Sequence, residues 1–136
     1  VKTFDNNFLH MRKLKLPGRS KDMPKLNEAD VKLIQDLGIQ EMKKQARQIV
    51  EEKLENNKEK DTSQTPYAGN PVYKAMHACR ASSRRELSHA HRIPREKKLS
   101  ERDIKSVVNL LTRWIAREYN FYQDEAPTSQ KKIKEF

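Results

Sequence analysis

Residues 65–115 read TPYAGNPVYKAMHACRASSRRELSHAHRIPREKKLSERDIKSVVNLLTRWI, and this stretch decides the fold. Asn70-Pro71 is a strong helix opening, because asparagine can accept from the first unbonded amides and proline fits the first helical position. We predict a single helix from there to about Ala90, ended by Ile93-Pro94. At about 100° per residue, its apolar face comprises Val72, Met76, Cys79, Ser83, Leu87 and Ala90.

A second helix of this stretch starts after Ser100, where Asp103 completes an imperfect capping box. It carries the strongest amphipathic pattern in the chain and runs into an aromatic cluster of Tyr119, Phe121 and Tyr122. From the two helical patterns we predict the core residues. They are Met76, Leu87, Ile104, Val108, Leu111 and Trp114.

Upstream, the pattern predicts a helix that begins after Asn27, and Gly38 as its stop or as a hinge. A further amphipathic helix follows from Ile39 to about Glu55, and a polar linker covers residues 56–65. No stretch of useful length has the alternation of a strand. The fold class predicted is therefore all-α, a small bundle of three to four helices with a basic extended N-terminal tail.

The domain organisation follows from these patterns and from the length of 136 residues, which suits one domain with tails. We predict a basic tail (1–25), a charged helical lead-in (26–60), a helical core domain (65–123) and a C-terminal tail (124–136). The basic tail shows no sustained period, so we expect it to be disordered alone and to become ordered by lying on something else or on a crystal neighbour. Because the chain begins with Val1, we expect an excised segment or a processed form.

The central stretch also resembles a known family, domain-of-unknown-function family 4186, whose pattern is TPxxGxPxxxAxHAxxxCCRxCLxxWHxIPxxxxLTxxxIxxxxxxxxxWI. The family's cysteines correspond to Ser82, Ser83 and Glu86 here, and its tryptophan to Ala90. The resemblance implies a fold unit and no known activity, and any metal site built on those cysteines is lost in this chain. The matching residues are Thr65-Pro66, Gly69, Pro71, Ala75, His77-Ala78, Arg84, Leu87, His91, Ile93-Pro94, Leu99, Ile104 and Trp114-Ile115.

The net charge of +10 is concentrated in two segments. Residues 1–25 carry seven Lys/Arg against two acids, and residues 61–98 carry eight against three. Such a field favours a polyanion, and arginine forks suit phosphate. We therefore predict a nucleic-acid partner, DNA or RNA, bound through phosphates by a polar stripe and a basic turn. The candidate residues are Lys74, His77, Arg80, Arg84, Arg85, His91, Arg92, Arg95, Lys97 and Lys98.

Two other functional classes compete with this prediction. The charged tail and the aromatic end at Tyr119–Tyr122 fit a protein–protein adaptor in a larger complex, and both functions can coexist. No aromatic residues are interleaved with the arginines, which argues against stacking on single strands. Base reading by a recognition helix has no signature either.

Catalysis, metals and membranes find little support in the sequence. Ser82-Ser83 near His77 or His91 lacks a third catalytic group, so we predict no enzyme. Cys79 and His77 point apart on a helix, and His89 and His91 have no partner at metal-site spacing, so we predict no metal and no cofactor. With one cysteine and no apolar run of membrane length, we expect a reducing compartment, nucleus or cytoplasm, and no membrane partner.

Overall fold

The computed structural model describes residues 12–55 and 65–125, and these form four helices without a strand. The prediction of an all-α bundle is confirmed. No described helix is both long enough and apolar enough to cross a bilayer. Most of the predicted linker, the first eleven residues of the tail and residues 126–136 lie outside the described residues. The helices are α1 (Glu28–Lys53), α2 (Pro71–Ala78), α3 (Arg84–His91) and α4 (Glu101–Glu125).

Helix α1 begins at a complete capping box. Asn27 Oδ1 accepts from Asp30 N at 2.9 Å, and Asp30 Oδ2 accepts from Asn27 N at 3.0 Å. Gly38 interrupts the helix with φ of 82° and ψ of 163°, a conformation that glycine adopts without steric cost, so the predicted hinge is confirmed. Both halves of α1 bury apolar residues in the same cluster as α4, so the lead-in is an integral part of the core.

The single helix predicted over residues 70–90 is wrong, because the chain leaves the helix at Cys79 and re-enters it at Arg84. Arg80 has a left-handed φ of 57°, and Ala81 N donates to Met76 O at 2.8 Å, which closes α2 in a Schellman motif. Ser83 then caps α3 by accepting from Glu86 N. The predicted apolar stripe is therefore divided between two short helices.

The six side chains predicted for the hydrophobic core are all buried, whereas Ala90 of the predicted apolar face is exposed. Trp114 of α4 is only 1% exposed and Leu111 is fully buried. The short helices contribute Met76 and Leu87 to the same cluster. Periodicity alone identified these positions, because each lies on the apolar side of its own helix whether or not α2 and α3 are joined.

The N-terminal strap, which we define as residues 12–25, lies along α4 of its own domain. Leu14 is buried in the core. Arg113 donates to Leu14 O, and Arg117 Nη1 donates to Pro17 O at 2.6 Å. These contacts attach the strap to its own domain, because the guanidinium groups satisfy backbone carbonyls that no helix or strand would pair.

The aromatic end of α4 is also less open than the adaptor prediction assumed. Arg19 of the strap forms a bidentate pair with buried Glu118, at 3.0–3.2 Å, and its guanidinium lies 3.9 Å from the ring centre of Phe121. Tyr119 and Tyr122 are half-buried and pack against the core. The strap and the core together occupy much of this predicted docking surface.

Candidate nucleic-acid interface

Lys74 does not belong to the surface for which it was predicted, because its side chain is buried. Its Nζ donates to Asp30 Oδ2 at 2.6 Å and to Lys25 O at 2.9 Å. Only 8% of the residue is exposed. Lys74 therefore ties α2 to the capped start of α1 and to the end of the strap. Its charge compensates the buried Asp30 carboxylate and is unavailable to a phosphate.

We expect Lys74→Met to lower the free energy of unfolding by about 3 kcal/mol, because the substitution leaves the Asp30 carboxylate buried without its cation. Urea unfolding followed by circular dichroism measures this loss. The double variant Lys74→Met/Asp30→Asn removes both charges and should recover part of the stability. A Lys74→Met protein as stable as the parent would show that the pair is not compensating.

The guanidinium of Arg84 is likewise occupied by hydrogen bonds within the protein. Its Nη1 donates to Leu54 O at 3.1 Å and Glu55 O at 3.2 Å, and its Nη2 donates to Pro94 O and Lys97 O, both at 2.6 Å. The residue is 2% exposed. The guanidinium thus joins the C-terminal end of α1 to the turn that follows α3. The prediction that Arg84 contacts nucleic acid is wrong for this geometric reason.

The two predicted histidines are half-buried, and each uses a ring nitrogen for an internal bond. His77 Nε2 donates to Thr65 O at 2.9 Å, and His91 Nε2 donates to Cys79 O at 2.8 Å. The second bond joins the C-terminal ends of α2 and α3. Their role as phosphate donors is corrected to one of positioning loops and helix ends, since these Nε2 atoms are committed to carbonyls.

Arg80 and Arg92 are the two non-glycine residues with positive φ in the described ranges, each at 57°. Arg80 follows the end of α2, and Arg92 caps α3. Because the His91–Cys79 bond joins the residues just before them, the two arginines emerge from adjacent points of the backbone. Both are exposed. The left-handed conformation costs an arginine about 1 kcal/mol that a glycine would avoid.

Arg85 lies on α3, seven residues before Arg92 in the chain. It is exposed, and neither Arg80, Arg85 nor Arg92 has a carboxylate partner within residues 12–55 and 65–124. We call these three side chains the arginine surface. They present three guanidinium groups that the fold does not use.

The basic turn after α3 is divided between solvent and internal contacts. Lys97 is exposed and Arg95 is half-exposed, so both remain candidates. Lys98 pairs with Glu55 at 2.9 Å, and this hydrogen bond raises the pKa of the Lys98 ammonium. Lys98 is therefore charged but already partnered. Of the predicted set, the residues that remain available are Arg80, Arg85, Arg92, Arg95 and Lys97.

The polar positions between α2 and α3 form a hydrogen-bonded cluster. Ser82 Oγ and Ser82 N both donate to Glu86 Oε1, at 2.5 and 2.9 Å, while Ser83 Oγ accepts from Glu86 N at 3.1 Å. Neither serine is bonded to a histidine among the described hydrogen bonds. This arrangement satisfies polar groups at the start of α3.

Cys79 is buried, as its place on the apolar face predicted, and burial raises the pKa of its thiol to about 12. A thiol with this pKa stays protonated at neutral pH and is a poor nucleophile or metal ligand. Within the described ranges, no three His, Cys, Asp or Glu side chains are grouped so that they could hold a metal ion. That no metal is bound stays a prediction.

Tyr67, in the loop before α2, is an aromatic residue that was not among the candidates predicted from the sequence. Tyr67 stacks on His77 with ring centres 3.9 Å apart and an angle of 11° between the planes. Its position in the loop before α2 gave no helical face to which it could be assigned. Gly69, at φ of 101°, turns this loop back over the helix. The position of Tyr67 between Thr65-Pro66 and the Asn70 cap was visible in the sequence. Its stacking on His77 follows only from the fold.

Comparison with known proteins places the sequence in one family and gives no functional relative. A family model described as Domain of unknown function (DUF4186) matches residues 10–116. The match extends beyond the central stretch to include the strap and α1, which agrees with their place in one core. No curated protein and no solved structure matches the chain.

Proposed function

The chain belongs to the family described as Domain of unknown function (DUF4186), and we propose that it is a non-catalytic helical module that binds nucleic acid through phosphate contacts. The arginine surface supports this proposal. Three exposed guanidinium groups lie on and beside α3 without acidic partners among the described residues, whereas Lys74, Arg84 and Lys98 are buried or paired. A place within a larger nucleoprotein assembly, in nucleus or cytoplasm, is part of the same proposal.

The backbone at Arg80 and Arg92 supports a role beyond solubility. Both residues occupy a left-handed conformation that glycine adopts at lower cost. Local strain of this kind persists where the side chain has a use that outweighs it, and it is common at functional sites. Guanidinium groups at two adjoining helix ends, with a third along α3, can contact successive phosphates of one strand.

The test is a variant that removes the arginine surface without harming the fold, Arg80→Gly/Arg85→Ala/Arg92→Gly. Glycine relieves the left-handed strain, so the free energy of unfolding should stay within about 1 kcal/mol of the parent. Binding to DNA and RNA should weaken on every sequence. The slope of log K against log salt should fall by about one unit per lost phosphate contact, hence by about three. Fluorescence anisotropy at several salt concentrations measures both effects.

The matched control is Lys21→Ala/Lys43→Ala/Lys44→Ala, which removes the same amount of charge from other exposed positions. Lys43 and Lys44 lie on the outer side of α1, and Lys21 lies in the strap. This control should retain most of the affinity, because contact charges at the site contribute more than distant ones screened by salt. Equal losses in the two variants would show that only net charge matters and would refute the assigned surface.

A protein–protein adaptor is the second candidate function, and one observation favours it. Ile39 is 41% exposed beside the Gly38 kink, at the edge of an apolar groove. The groove has a volume of about 290 Å³ and is also lined by Ile34, Ile115 and Tyr119. An apolar contact depends weakly on salt, whereas binding to several phosphates weakens steeply. Parent protein with no salt-dependent affinity for nucleic acid would favour the adaptor.

A further inference from the structure

Tyr67 is a large aromatic side chain that remains 76% exposed although one face of its ring is covered. His77 covers that face in a nearly parallel stack. The exposure therefore comes from the opposite face and the rim of the phenol ring. An aromatic ring held parallel to a second ring, with its outer face open to water, has the geometry onto which a third planar ring can stack.

The stack is held in place by the backbone around it. His77 Nε2 donates to Thr65 O at 2.9 Å, and Thr65 Oγ1 donates to Ser82 O at 3.1 Å. Thr65 is buried and lies two residues before Tyr67. The loop carrying the tyrosine is thus bonded to both α2 and the turn before α3. A ring fixed in this way loses little conformational freedom when a ligand stacks on it.

The same contacts connect the Tyr67 stack, through the backbone, to the segments that carry Arg80 and Arg85. Arg80 N donates to His77 O at 3.3 Å, so Arg80 leaves the backbone beside the histidine that carries the stack. Arg85 lies one turn after Ser82, whose carbonyl is bound by Thr65. Two exposed arginines therefore leave the backbone three residues after positions that hold the stack, His77 and Ser82. Phosphate binding beside a stacking face is the combination that single-stranded nucleic acid requires.

We propose that the outer face of Tyr67, stacked on His77, is a base-stacking site for single-stranded nucleic acid, with Arg80 and Arg85 holding the adjoining phosphates. This inference rests on the proposed function and narrows its ligand to strands with unpaired bases. The sequence showed no aromatics among the arginines, and the fold supplies one from the loop before α2. Stacking is indifferent to base identity, so the site has little sequence preference.

The experiment compares Tyr67→Ala with Tyr67→Phe on three ligands of matched phosphate number: a single-stranded oligonucleotide, its duplex and inorganic polyphosphate. Tyr67→Ala should weaken single-strand binding about tenfold, the effect expected for one lost stack. Its affinity for duplex and polyphosphate should change less than twofold, because these ligands offer phosphates but no accessible base face. Tyr67→Phe keeps the ring and should bind all three ligands within twofold of the parent.

A strand with a single 2-aminopurine reports the stack directly, since its fluorescence is quenched by stacking. Quenching should occur with the parent and Tyr67→Phe and disappear with Tyr67→Ala. Unchanged single-strand binding by Tyr67→Ala would overturn the stacking site and leave the arginine surface standing. Equal losses on all three ligands would also overturn it, because the tyrosine would then act without the base. Failure of the parent to bind any of the three would overturn both this inference and the proposed function.

Discussion

Replacing Arg84 with alanine should lower the free energy of unfolding by about 4–5 kcal/mol. The substitution removes a donor from four backbone carbonyls, those of Leu54, Glu55, Pro94 and Lys97, in a site where the residue is 2% exposed. Glu55 O keeps a bond from Leu99 N at 2.8 Å, so three carbonyls lose the donor described for them. Each buried acceptor left unsatisfied costs about 1–3 kcal/mol, although partial relaxation and entry of water reduce the sum. The guanidinium charge also stabilises the C-terminal end of α1, where the helix carbonyls point. Urea unfolding followed by circular dichroism measures the loss.

Arg85→Ala is the matched control for this prediction, because it changes the same residue type one position along the same helix. Arg85 is exposed and without an acidic partner in the part of the chain that the structure describes, so its loss should change stability by less than about 0.5 kcal/mol. Arg84→Lys should recover only a fraction of the stability, since one ammonium cannot reach carbonyls on two sides as a planar fork does. Equal stabilities of the Arg84 and Arg85 alanine variants would contradict the role assigned to Arg84.

The comparison of these two neighbours shows why the site was only partly predictable. Sequence spacing assigned Arg84 and Arg85 to one basic cluster. Both lie on α3, but only Arg85 is exposed. The acceptors of Arg84 lie 30 residues upstream at Leu54 and 10 residues downstream at Pro94. They are backbone carbonyls, which exist at every residue and leave no mark in the sequence. Which cations a fold uses internally therefore depends on tertiary contacts that local patterns do not contain.

The helix starts after Asn27 and Asn70 were predicted correctly, whereas the end of α2 was not. Asn27 and Asn70 were identified as caps because their side chains act on amides two or three residues away, and both do so. The end of α2 was missed because the left-handed position that usually carries glycine is occupied by Arg80. Ser83 was then assigned to a helix interior, although it caps α3. Helix ends could be predicted where the cap is a residue that usually caps helices. The end of α2 could not, because an arginine occupies the position that glycine usually takes.

The surface that supports the strap was unpredictable for a related reason. Its own sequence has no period and few apolar residues, so a free chain of this composition would not fold. Order comes from α4, whose Arg113 and Arg117 are four residues apart and face the strap carbonyls together. The i, i+4 spacing was visible in the sequence, but the strap's backbone was not a recognisable target. Consequently the surface on which the strap lies, α4 of its own domain, could not be identified from the sequence.

Trp114→Ala should lower the free energy of unfolding by about 3–5 kcal/mol, the range for removing a large buried aromatic side chain. Trp114 is 1% exposed on α4 and belongs to the single hydrophobic cluster that the other helices and Leu14 of the strap share. It also lines the cavity between the strap and α4, beside Met23 and Glu118. The substitution therefore leaves a void under the strap as well as in the core. Urea unfolding followed by circular dichroism is the measurement, because the variant loses the only tryptophan.

Phe121→Ala provides the control, since it removes an aromatic ring from the same helix at a position that is 38% exposed. Its loss should cost about 1 kcal/mol, mainly through the contact with Arg19, because little buried area and no cavity are involved. Trp114→Phe should lie between the two alanine variants, as it refills part of the void. If Trp114→Ala were no less stable than Phe121→Ala, the tryptophan would not be the centre of the packing between α4 and the strap. The strap would then depend chiefly on the bonds from Arg113, Arg117 and Glu118, which the two alanine substitutions leave in place.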